Sequence, residues 1–277
     1  MIVIPLHILL PTLFGSILAG VLCSTMGVFV VRLKLAPLGF AMSHAAFAGA
    51  ALGLAVPVLD PLWMALVFAV VMAFLLGPLA DVSRLNMDAV VGAFFPLMMA
   101  LGLIFLSLAP SSGIGRGALS LLWGSVLGIT FSDVIKLAGL AAFLVVLLIA
   151  LGKGFLAILL DRRLAIASGI NARLHHHAIL FLTAITVALA LQITGGLLVY
   201  ALMILPASAA FQLVYDIKKI FLLAPALGAL AAILGLLLSL GADLPIGSSI
   251  TVAAAGVFLL AVILSPKRLR RRLREIA

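Results

Sequence analysis

The sequence predicts an all-α polytopic membrane protein of about nine transmembrane helices, and three observations predict it. Of its 277 residues, 66% are hydrophobic and only 9% charged, whereas an ordinary soluble domain carries roughly a quarter charged residues. The apolar residues fall in runs of the length, about 20, that a helix needs to cross a hydrocarbon core about 30 Å thick. Those runs are rich in Leu, Ala, Val and Gly and lack the period-two alternation of a membrane β-barrel strand, which leaves helices as the backbone solution.

Dividing the chain at its polar breaks gives spans near 8–31, 36–56, 61–80, 89–109, 133–152, 177–194, 197–214, 220–240 and 248–264. The first has no basic residue before Arg32 and is too long for a signal-peptide core, so it reads as a membrane helix. It holds the single cysteine, Cys23, so an intramolecular disulfide is impossible. Between the fourth and fifth spans, Ala118–Ile129 reads as a short partial helix. The sixth and seventh spans meet at Gly195–Gly196, and the seventh carries Pro206 at its middle. Pro37, Pro96, Pro206 and Gly195–Gly196 are read as helix interruptions, which free backbone groups that are tolerated only against protein or a water-filled path. Runs of small residues such as Ala45–Ala51 and Ala207–Ala210 let helices approach closely. The organisation is one membrane domain over 1–264, including a polar connection at 153–176, followed by a basic tail at 265–277.

The formal charge of +9 sorts by topology. With the N-terminus outside, fifteen of the 17 basic residues fall on the cytoplasmic side, leaving only Arg116 and Lys136 across the membrane, a strong positive-inside bias. The tail Lys267–Arg274 could be read as RNA-binding, but arginines directly after a membrane helix are the usual anchor to anionic lipid headgroups, and no nucleic-acid partner is expected.

Several chemistries are missing. No phosphate-cradling glycine loop is followed by Lys-Ser/Thr, since Gly113, Gly115 and Gly117 lack that sequel, and there is no G-x-S-x-G or H-E-x-x-H. Asp60, Asp81, Asp88, Asp133, Asp161, Asp216 and Asp243 all fall at span ends, so no carboxylate pair lies within a span. The chain is not expected to be an enzyme, and a self-sufficient secondary carrier, which would want intramembrane acids for coupling, is the less favoured alternative. Energy for any transport would come from another subunit.

One ionisable side chain lies inside a span. His44 is about 13 Å of helical rise into the second, within Leu38-Gly39-Phe40-Ala41-Met42-Ser43-His44-Ala45. An imidazole in hydrocarbon needs a partner or a water-filled path, and imidazole suits zinc-like transition metals. The alternative is a structural histidine bonded to a backbone carbonyl. His175-His176-His177 is a weaker metal signal, because consecutive helical residues point about 100° apart.

Gly39, Ser43, His44, Ala45 and Gly49 resemble the Gly-Asp-x-x-Ser/Ala-His-Ala motif of the permease subunits of ABC importers for zinc, manganese and iron. Four further segments match that family in order: Leu121-Leu122-Trp123-Gly124-Ser125; Asp161 with Ala165 and Gly169; Gly196 through Ala201-Leu202-Met203-Ile204-Leu205-Pro206-Ala207; and Asp243 with Pro245 and Gly247. The chain departs from the motif at Phe40, where the family has aspartate one turn before the histidine. Weaker coordination, substitute donors or a substrate other than a bare cation would each follow from that loss.

The resemblance implies an ABC-importer permease bundle that moves a divalent transition metal, zinc or manganese, by alternating access, with a metal chelate or other small solute as the alternative cargo. It implies no cofactor in this chain, ATP used by a partner ABC ATPase subunit, an extracytoplasmic metal-binding protein, a second copy of the chain, and the bacterial inner membrane as its place. Residue by residue, it implies metal contact at His44 on the path, with Asp243 as an outer-gate donor or simply a turn aspartate. Asp161, Arg162, Arg163, Ala165, Ser168 and Gly169 would form an ATPase-coupling helix, the small residues on one face permitting close approach, and Gly196 and Pro206 would be helix-break or gating positions.

Overall fold

The computed structural model describes residues 5–109 and 129–267. Ten helices run through them, numbered here in chain order: α1 (Leu6–Arg32), α2 (Ala36–Ala55), α3 (Pro61–Ser83), α4 (Met87–Leu108), α5 (Phe131–Leu160), α6 (Arg162–Ala167), α7 (Ala172–Thr194), α8 (Gly196–Leu213), α9 (Ile217–Ala242) and α10 (Ile246–Ile263). Eight are long and apolar enough to cross a membrane, and α8 is a shorter apolar helix, so each expected span has its helix. The expected partial helix Ala118–Ile129, apart from Ile129, lies outside the described residues, as do Arg116, Leu121–Ser125 and tail residues 268–277.

The aspartates at the span ends have a structural use. A helix start leaves its first N–H groups unpaired, and Asp60 accepts from Leu62 and Trp63 at the start of α3, Asp161 from Arg163 and Leu164 at α6, and Asp216 from Lys218 at α9. Asn86 caps α4 and Asn171 caps α7, while Thr130 and Asp133 form a reciprocal capping box at α5. Prolines divide by position. Pro37 occupies the first turn of α2, where its missing N–H costs no helix bond, so it begins a helix rather than interrupting one. Pro96 and Pro206 lie inside helices that remain continuous, also contrary to the expected breaks.

Packing is centred on α1 and α2, the most buried spans, with α5 the most exposed. In lipid the hydrophobic effect does not drive helices together, and close contact through small residues takes over. Gly49 of α2 lies on the Met64 backbone of α3, and a Cβ at Gly53 would reach 2.5 Å from Pro61 Cα. α4 packs on the other flank of α2, its Gly102 leaving room for the Phe47 ring, while α1 lies against α5, α7, α8 and α9.

Ring contacts fix the relative directions. Phe29 near the end of α1 meets Phe221 at the start of α9 (5.0 Å) and Phe155 late in α5 (5.4 Å). The end of α1 therefore shares one end of the bundle with the starts of α2 and α9, and Phe40–Phe95 brings the start of α4 there too. That end carries Arg32, Lys34, Arg84, Lys153, Lys218 and Lys219, and we call it the basic end. Asp243, after α9, belongs to the opposite end.

Candidate metal path

His44 is the ninth residue of α2 and is 5% exposed. Its Nδ1 lies 2.9 Å from the Phe40 carbonyl oxygen one turn earlier, an atom that can only accept. Nδ1 therefore carries the proton, and in the neutral ring Nε2 holds the lone pair that a metal would use. Ser43 Oγ donates to the same carbonyl at 2.8 Å, so two side chains converge on one backbone oxygen.

Aromatic rings surround the imidazole. Phe40 packs on it at 4.4 Å between centroids, and Phe95 of α4 stands edge-on at 4.6 Å and 90°. Phe40 also contacts Phe95 (5.0 Å) and Tyr200 of α8 (5.1 Å). Beyond the rings, an open groove of about 400 Å³ at the basic end is lined by Phe40, Phe95, Gly92, Asp88 and Tyr200 among others. Among the described residues no three His, Cys, Asp or Glu side chains converge as a ready metal cage. The sequence pointed to His44 and to the loss of aspartate at Phe40, but not to Phe95, Tyr200 or Asp88, which arrive from other helices. The only available hints were that Tyr200 is one of two tyrosines and that Asp88 opens an apolar span.

The other candidates are dispersed. Asp243 and His44 are not brought together: Asp243 is an exposed residue closing α9 in the left-handed conformation (φ 55°), at the opposite end. Gly196 does come to the His44 turn, since a Cβ added to it would be 3.7 Å from the Ser43 carbonyl oxygen. The Gly195–Gly196 junction is therefore inside the bundle, with Thr194 and Val199 fully buried on either side. Pro206 lies in α8 ten residues further on. His175 bonds the Asn171 carbonyl through Nδ1 and packs on Phe155, while His177 packs on Phe74, so the triplet spreads over different neighbours.

The 161–169 segment folds as α6 with Asp161 as its cap, and it ends at Gly169, whose φ of 80° suits glycine. Ile170 N–H returns to the Ala165 carbonyl and Ser168 Oγ donates to Leu164, closing the turn. The side chain of Arg162 lies outside the described ones. Of the three small residues, Ala165 is 2% exposed against Ile158 and Ala172, while Ser168 and Gly169 are exposed. The exposed apolar side chains are Leu164 (68%) and Ile166 (56%).

The model of the "ABC 3 transport family" matches residues 6–265, nearly the whole chain. The chain belongs to the ABC 3 transport family. Among curated relatives, this family member is 32% identical to the manganese transport system membrane protein MntC of Listeria innocua, over 92% of this chain and 90% of that one. It is 28% identical to the high-affinity zinc uptake system membrane protein ZnuB of Haemophilus influenzae, over 92% and 97%. Among solved structures it matches PsaBC from Streptococcus pneumoniae, in complex with Fab, with a TM-score of 0.88 and 28% identity over 97% of this chain and 95% of that one. As an ABC 3 family permease the chain is a multi-pass bacterial membrane protein.

Proposed function

We propose that this chain forms the translocation path of an ATP-driven importer for manganese or zinc, working by alternating access as one of two copies beside two ATPase subunits and an extracytoplasmic binding protein. The observation that carries the reading is His44, an imidazole buried in a span with its tautomer set by the Phe40 carbonyl so that Nε2 is the free donor. A buried ionisable group in a membrane helix is expensive and points to a path or a bound cation. The names of the manganese and zinc relatives supply the two metals.

Orientation and coupling complete the proposal. The basic end is cytoplasmic, as the positive-inside bias requires, which puts the N-terminus outside and Asp243 at the outer face. The ATPase docks on α6, where Leu164 and Ile166 are apolar, exposed and outside the spans. ATP-driven closure of the partners then pushes α6 and the adjoining α5 and α7, and the buried junction at Gly195–Gly196 transmits the movement to α8 beside the His44 turn. The basic tail anchors to anionic lipid.

Uptake of manganese and zinc into proteoliposomes containing the chain, its ATPase and the loaded binding protein tests this reading. ATP-dependent uptake of a free metal, abolished by His44→Ala, is the expected result. ATPase activity stimulated by the binding protein without uptake of either metal would overturn the free-cation cargo in favour of a chelate, a reading to which the aromatic rather than carboxylate surroundings of His44 lend weight.

A further inference from the structure

Phe40 and Phe95 stand between a buried imidazole and an open groove. On one side is His44, which does not line the groove and is almost fully buried. On the other is the open groove, lined also by Asp88 and Tyr200. Each phenyl ring does both jobs, lining the groove and packing on the imidazole at 4.4 and 4.6 Å. Among the groove's lining residues, these two are the ones whose rings rest on the imidazole.

We propose that Phe40 and Phe95 are the inner gate of the path: a two-ring seal that holds a cation on the His44 side, with Asp88 as the first carboxylate it meets on release. The proposal rests on the permease reading and deepens it. An apolar constriction closes a path by excluding water, and a divalent ion stripped of water has no donor in a phenyl contact to replace it. The departure from aspartate at position 40 is then a change of device, a seal in place of a ligand.

Local backbone structure suits movement at both rings. Phe95 is held between Gly92 and Pro96; the proline has no N–H for the Gly92 carbonyl, and a Cβ at Gly92 would meet nothing within 4 Å. A helix with one bond missing and one open side is where bending concentrates. Phe40 is half-buried, and its groove-side neighbour Tyr200 comes from α8, four residues after the buried Gly195–Gly196 junction. A shift of α8 against α2 withdraws Tyr200 from Phe40 and leaves that ring free to swing into the groove.

The natural chain supplies a clean background for the test, because its only cysteine, Cys23, is buried. Cysteine is placed at Ser43 or at His44, and inside-out vesicles are treated with a membrane-impermeant cationic thiosulfonate. Leu85→Cys, at a 55% exposed site between α3 and α4 and outside the spans, reports the reagent's access. With the rings intact both reporters should label slowly; Phe40→Ala or Phe95→Ala should speed labelling tenfold or more, and Phe95→Leu, which keeps bulk, should do so far less. Cys23 staying unlabelled certifies each variant as folded, and the two ring deletions stand in for one another if one fails that check. Labelling of Ser43→Cys and His44→Cys as fast as Leu85→Cys with the rings present, or at one rate with and without them, overturns the gate. A ring-dependent pattern in a chain that carries no metal would leave the gate standing and remove the cargo; metal uptake with a flat labelling pattern would do the reverse.

Discussion

Gly20 of α1 and Gly228 of α9 meet backbone to backbone: a Cβ on Gly20 would come within 2.6 Å of the Gly228 carbonyl oxygen, with no flexible side chain to yield. Gly20→Leu should therefore separate the two helices and destabilise the bundle by about 1–3 kcal/mol, the usual cost of overpacking. Gly139→Ala, where nothing lies within 4 Å, should leave the melting temperature unchanged or slightly raised. Thermal unfolding of both purified variants in detergent checks the contrast, and equal melting temperatures would contradict the close crossing.

Restoring a carboxylate at position 40 should change metal retention. Phe40→Asp puts an oxygen donor four residues before His44 on the same helix face, and manganese or zinc should bind about tenfold more tightly, or about 1.4 kcal/mol. Phe40→Asn, close in size and uncharged, should not. Metal content after gel filtration at graded free metal, by elemental analysis, measures the difference.

The coupling surface is predicted to be apolar. Leu164→Glu and Ile166→Glu alter exposed side chains, so the folded yield should be normal while ATPase binding and ATP-dependent transport are lost. Asp161→Ala removes the cap of α6 and should cost about 1 kcal/mol of local helix stability, weakening coupling less completely. Co-purification of the ATPase with each variant checks the order.

Gly195 has φ 82° and ψ 156°, a backbone region that is essentially glycine's alone. Gly195→Ala should destabilise the α7–α8 junction by about 1–3 kcal/mol, and because the junction is buried beside the His44 turn, transport should fall with it. A normal melting temperature for this variant would contradict the buried, left-handed junction.

Asp243 tests a role against a shape. Its left-handed conformation favours glycine, so Asp243→Gly should keep or raise stability by up to about 1 kcal/mol, and Asp243→Val should lower it. Uptake measured on the stable Asp243→Gly variant then reads the outer-gate role alone: undiminished uptake leaves only the turn.

Much of this molecule is legible one residue after another. A bilayer crossing needs about 20 apolar residues and nothing from elsewhere in the chain, so the spans could be drawn from composition, and Asp60, Asp161 and Asp216 mark helix starts because capping is a local bond. His44 stands out for the same reason, as one ionisable group within a span. What the tertiary structure decided is which surfaces meet. Phe95 and Tyr200 close around His44 because α4 and α8 pack on α2, Ala165 turns inward onto Ile158, and Gly195–Gly196 ends up inside the bundle rather than in a surface loop. No local pattern encodes these pairings, because nearly all the residues of a membrane helix are apolar, and their order says little about which face turns to lipid and which to a neighbour. That choice is made by close packing of small residues between helices far apart in sequence.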